Sequence, residues 1–141
     1  MALLYPLPAQ LLLGNTIQAI TPLCEIGLYQ NNITLTPAVV LSDLEAATFS
    51  GYTIKTLTTG FSEAYFSPTG DGAEIRSGEV QFFFTAPTPP TLPVTNTIYG
   101  FYCKTATGDL LVVGNFDAPI AMLGDGDAVF VNIVLGFGAN G

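Results

Sequence analysis

The chain has 141 residues, 49% of them hydrophobic, with 3 Lys+Arg against 11 Asp+Glu and a formal net charge of −8. It contains no His and no Trp. Without imidazole, the usual general base, nucleophile activator and transition-metal ligand is missing. The three cations, Lys55, Arg76 and Lys104, are scattered along the sequence. Neither a nucleic-acid backbone nor an anionic membrane surface is therefore an expected partner.

A chain of this length is expected to form one domain, burying about two-thirds of its unfolded surface without staples. Charged residues make up only 10% of it. That is low for a free-standing monomer and predicts that a partner covers part of the surface. Met1 to Pro6 is apolar but has no basic n-region, and no apolar run approaches the ~20 residues of a membrane span. Cys24 and Cys103 read as buried, reduced thiols packing as small hydrophobes, with a disulfide as the alternative.

In chain order, Pro8 to Gly14 predicts one or two helical turns, opened by a proline and stopped by Gly14. Residues 1–22 are read as an apolar arm that docks on its own domain or on a neighbour, and 23–141 as the folded domain. Cys24, Ile26 and Leu28 alternate as one face of a strand, and Asn31-Asn32 supplies a turn. Ser42-Asp43-Leu44-Glu45 has capping-box form and predicts a short helix over Asp43 to Ala47 with Ser42 as N-cap. After Gly51, strands are expected over Tyr52–Leu57 and in the β-prone stretch Phe61–Phe66. Ser67 to Gly72 is a turn. Ala73–Ser77 alternates, Gly78 breaks it, and Val80, Phe82 and Phe84 resume in register. Phe83 must then point outward. Ala86 to Pro93 cannot be a central strand and reads as a stiff exposed loop. Thr97–Thr105 and Leu110–Phe116 flank a Gly-containing turn and predict an antiparallel hairpin. Val129 to Leu135 closes the domain. About eight short strands separated by turns indicate an all-β fold: a single antiparallel β-sandwich or jelly-roll-like domain with one short helix and an N-terminal arm.

Three stretches taken together resemble a family of small structural proteins of tailed bacteriophages and related environmental viruses. They are Ile26-Gly27-Leu28-Tyr29-Gln30-Asn31-Asn32 followed by Thr36-Pro37, then Leu41 through Tyr52, then Thr97-Ile98-Tyr99-Gly100-Phe101-Tyr102 continuing through Gly108-Asp109-Leu110-Leu111. The resemblance spans roughly residues 1 to 135 in the order of its parts. It implies a virion component, such as a capsid decoration or a head- or tail-associated protein, and brings no catalytic residues. The sequence departs from the family in the Pro87-to-Pro93 insertion and in the placement of Asp43-Leu44-Glu45.

Asp71, Glu74, Asp125 and Asp127 lie in Gly-rich stretches and could ligate Ca²⁺, but Asp and Gly are also the ordinary residues of turns, and the turn reading is preferred. No Gly-x-Ser-x-Gly elbow is present, and no carboxylate pair stands out for glycoside hydrolysis. The expectation is a non-enzymatic virion structural protein, without cofactor or metal. It would bind viral capsid, other virion proteins or copies of itself as a homo-oligomer. The interface candidates are Leu3, Leu4, Leu11, Leu12, Leu13 and Phe83. The alternative is a carbohydrate- or receptor-binding β-sandwich that stacks sugars on its tyrosines.

Overall fold

A computed structural model describes residues 7–66, 72–89 and 91–137. Among the described residues the fold is all-β, with two antiparallel sheets and one α-helix. The helix α1 is Leu7–Gln18, and the strands are β1 Glu25–Tyr29, β2 Lys55–Thr56, β3 Tyr65–Phe66, β4 Ala73–Phe83, β5 Asn96–Lys104, β6 Leu110–Met122 and β7 Ala128–Phe137. One sheet runs β2-β1-β5-β6 and the other β3-β4-β7. The chain divides into two compact units. One comprises residues 1–24, 57–79 and 132–141, and the other 25–56 and 80–131, so β4 and β7 each contribute a segment to both.

In the second unit, the four-stranded sheet is built on cross-strand pairs of glycine and aromatic residue. Gly27 stands opposite Tyr102, and Tyr29 opposite Gly100. Phe101 stands opposite Gly114. In each pair the ring occupies the space that a Cβ on the glycine would need. Gly100 is therefore required for room rather than for backbone freedom, and its aromatic partner covers the exposed backbone in the way a side chain would. The Tyr29 hydroxyl donates to the Gly114 carbonyl at 3.0 Å and also meets the Asn115 side chain. Burial pushes its ionisation upward.

The two sheets of this unit meet through aromatic side chains. Tyr52 stacks on Phe82 of β4 at 5.9 Å and tilts against Phe49 at 5.3 Å, and Phe49 stacks on Phe84 at 6.4 Å. The Leu28 N–H of β1 donates to the Tyr52 hydroxyl at 3.0 Å. Val80, Phe82 and Phe84 are all buried, as their alternation predicts. The hairpin is also present, with Gly108 at φ +95° in its turn. β6 runs six residues beyond the expected Phe116. Its pairing is interrupted where Tyr99 of β5 faces four residues of β6, Phe116, Asp117, Ala118 and Pro119. A proline is tolerated there because β6 is an edge strand and the ladder is already broken.

The first unit is organised by polar side chains that bond to backbone. Thr21 is fully buried; its Oγ1 accepts the Phe61 N–H at 2.7 Å and donates to the Gln18 carbonyl at 2.7 Å. Gln10, also buried, accepts the Ala73 N–H at 3.1 Å. Asn15 accepts the Ala64 N–H at 3.1 Å, and the Ile133 N–H donates to Ser77 Oγ at 3.0 Å. Arg76 binds Glu74 at 2.7 Å, which holds the guanidinium more firmly charged.

Several sequence expectations are corrected. The N-terminal helix has 12 residues and continues through Gly14. A Cβ at Gly14 would lie 2.7 Å from the Ala64 Cβ, so glycine serves close packing there and not termination. The helix end is capped by Thr21. No helix spans Asp43 to Ala47. A single 3-10 turn, Leu41–Asp43, follows Val40, and Asp43 rather than Ser42 does the capping, accepting the Val40 N–H at 3.0 Å. Ala46 instead forms a bridge with Tyr29. The ladder captures these residues because Ala47 N–H reaches the Leu28 carbonyl and Gln30 N–H the Glu45 carbonyl. Gly78 does not end its strand: β4 passes through it at φ +76°. Tyr52–Leu57 and Phe61–Phe66 yield two-residue strands only: the Tyr52 N–H is taken by the Phe49 carbonyl and the Phe61 N–H by Thr21 Oγ1, so neither donor joins a ladder. The turn at Ser67–Gly72 lies outside the described residues except at Gly72.

Candidate interaction surface

Cys24 and Cys103 form no disulfide and are fully buried, and the Cys24 thiol donates to the Ile20 carbonyl at 3.4 Å. A shallow cavity of about 400 Å³ is lined by Ile33, Thr34, Thr36, Ala38, Val39 and Asp43. Asp43 is its one ionisable group, and one of its oxygens is held by the Val40 amide. A second hollow of about 250 Å³ lies between Thr36, Pro37 and Val39 and the start of β6, Leu110–Val113. The loop that forms both is clamped by Asn31, whose side chain donates to the Asp43 carbonyl and accepts the Glu45 N–H, each at 2.8 Å. The Asn31-Asn32 turn signal hinted at this loop but not at the clamp, which depends on residues 12 and 14 positions away.

The acidic turn Gly124-Asp125-Gly126-Asp127 has a structural account. One oxygen of Asp127 accepts the N–H groups of Leu123 (2.8 Å) and Gly124 (3.1 Å). Asp125 accepts the Ala86 N–H at 2.9 Å. No group of three potential ligands is assembled among the described residues. Of the tyrosines considered for sugar stacking, Tyr29 and Tyr102 are buried and Tyr52 is committed to the aromatic core.

Two aromatic side chains meet on an exposed face. Phe83 projects outward at 50% exposure, and Phe130 of β7 meets it edge-on at 6.0 Å while itself 54% exposed. The acidic turn adjoins this pair: the Phe84 N–H donates to the Asp127 carbonyl at 3.0 Å, and the 61% exposed Leu123 begins the turn. Phe83 was legible from alternation; its meeting with Phe130 was not, because only the pairing of β4 with β7 brings the two rings together.

The other interface candidates scatter. Leu12 and Leu13 are exposed on α1, and Leu11 is half-buried. Leu3 and Leu4 lie outside the described residues. Comparison with protein-family models, with curated proteins and with solved structures finds no match to this chain.

Proposed function

We propose that this chain is a non-enzymatic structural protein of a virus particle, which docks on capsid, on other virion proteins or on neighbouring copies. The observation that carries the docking role is the exposed Phe83–Phe130 pair on a chain with few charges. Aromatic side chains at half exposure lose contact with water only when something covers them, and aromatics are enriched where proteins meet. The edge strand β6 adds unpaired backbone groups that a neighbouring strand can complete. The virion setting rests on the sequence resemblance described above.

The test is antibody labelling. Particles are banded from a culture expressing the chain and probed with antibodies to the purified protein. Label on the particles is the expected result; a chain found wholly outside them overturns the virion role.

A further inference from the structure

We infer that the chain pairs with a second copy of itself along the open edge of β6, antiparallel and about a two-fold axis beside Val112. The inference rests on the docking role proposed above and narrows it to one edge and one partner. β6 ends its sheet, and β2 at the opposite edge has only two residues. From Leu110 to Phe116 the strand carries no charge and no proline, and its register with β5 skips only Leu111. The stronger devices that keep a strand edge from pairing come after that stretch: Asp117, Pro119 and the wide break in the ladder opposite Tyr99. Leu110 to Val113 are half-buried, so both faces of the strand stay partly open.

Gly114 shows which way the backbone groups point. A Cβ on Gly100 of β5 would collide with the Gly114 carbonyl oxygen, so that carbonyl is turned into the sheet. The backbone groups of an antiparallel strand alternate between its two sides. Those of Val113 and Leu111 therefore point off the open edge, and among the described residues no backbone bond outside the ladder takes them up. Symmetry and charge then select the occupant and the register. Two copies of one antiparallel edge are complementary, because the outward N–H groups of each meet outward carbonyls of the other. With Val112 opposite itself, Leu111 of one copy pairs with Val113 of the other, and Asp109 faces Asn115. With Val113 opposite itself, Asp109 would face Asp117, a like-charge pair. Copies that each carry a net charge of −8 thus meet along a neutral stretch, with their carboxylates apart.

The experiment uses the full chain with Val112→Cys, oxidised under air with copper phenanthroline. Cys24 and Cys103 are fully buried and do not compete. A covalent dimer is expected for Val112→Cys and not for Ala118→Cys, an exposed position on the same strand. In sedimentation equilibrium the unmodified chain should dimerise. Val112→Lys and Val112→Glu should each weaken the dimer about tenfold or more, because like charges then oppose one another, and mixing the two variants should restore it. That rescue separates lost pairing from lost folding. A monomeric unmodified chain overturns the inference and leaves the edge to a different protein. Equal cross-linking at Val112 and Ala118, dimers that neither charge weakens, or a mixture that stays monomeric overturn it as well. None of these results depends on particle labelling, so the two readings fail separately.

Discussion

The two units solve the same packing problem with different chemistry. The second, 25–56 with 80–131, is filled by rings: Tyr29, Phe49, Tyr52, Phe82, Phe84 and Tyr102 lie within it. The first contains all three of the buried polar residues among those described, Gln10, Thr21 and Glu74. Rings contribute through buried area and tolerate no loss of volume. Buried polar groups contribute little net but leave an expensive orphan when one partner is removed. The second unit should therefore be the deeper reservoir of stability, and the first should be sensitive to substitutions that change almost no volume.

The largest effect is expected in the ring cluster. Phe82→Ala removes the side chain that stacks on Tyr52 and lies under Lys55. It should cost about 3–5 kcal/mol in urea unfolding. A loss under 1 kcal/mol would show that the cluster is not the core of its unit.

Gly100→Ala comes next. The added methyl meets the Gly114 carbonyl of the neighbouring strand as well as the Tyr29 hydroxyl, and backbone cannot step aside cheaply. A cost of about 1–3 kcal/mol is expected from overpacking. Gly136→Ala is the control, because its Cβ would enter open space and its φ is not left-handed. Equal costs would refute the account of Gly100 as a space requirement.

Thr21→Val probes the polar unit at constant shape. The Phe61 N–H loses its acceptor, and about 1–3 kcal/mol should follow. Hydrogen exchange sharpens the comparison. Protection should fall for residues 57–66 and 72–79 while Ile98 to Lys104 keep theirs. Uniform loss would mean that the two units unfold as one.

Alkaline pH tests the rings again. Burial holds the Tyr52 hydroxyl protonated well above its ordinary value near 10, with the Leu28 amide opposing more weakly. The unfolded chain then releases that proton first as pH rises, so stability is intact below about pH 10 and falls above it. Tyr52→Phe should flatten this fall, at the expense of the Leu28 hydrogen bond near neutrality. The smallest effect belongs to Leu12→Ser on α1, an exposed position where less than about 0.5 kcal/mol is expected.

Much of the β-architecture was legible in the sequence. Alternation over Val80, Phe82 and Phe84 fixed which side chains turn inward, because a strand's side chains can only alternate. The Ala106-to-Asp109 turn determined the β5–β6 hairpin, because a short Gly-containing loop leaves few other ways to pair two β-prone runs. The same alternation put Phe83 outside. Local signals failed where a distant residue offered a better bond. The capping-box pattern at Ser42 lost to the ladder that draws Ala46 and Ala47 onto β1. Gly14 read as a stop but was selected for contact with Ala64. The aromatic–glycine pairs, the Asn31 clamp and the meeting of Phe83 with Phe130 all join segments apart in the chain. Composition and periodicity carry no information about such pairings, and only the sheet register decided them.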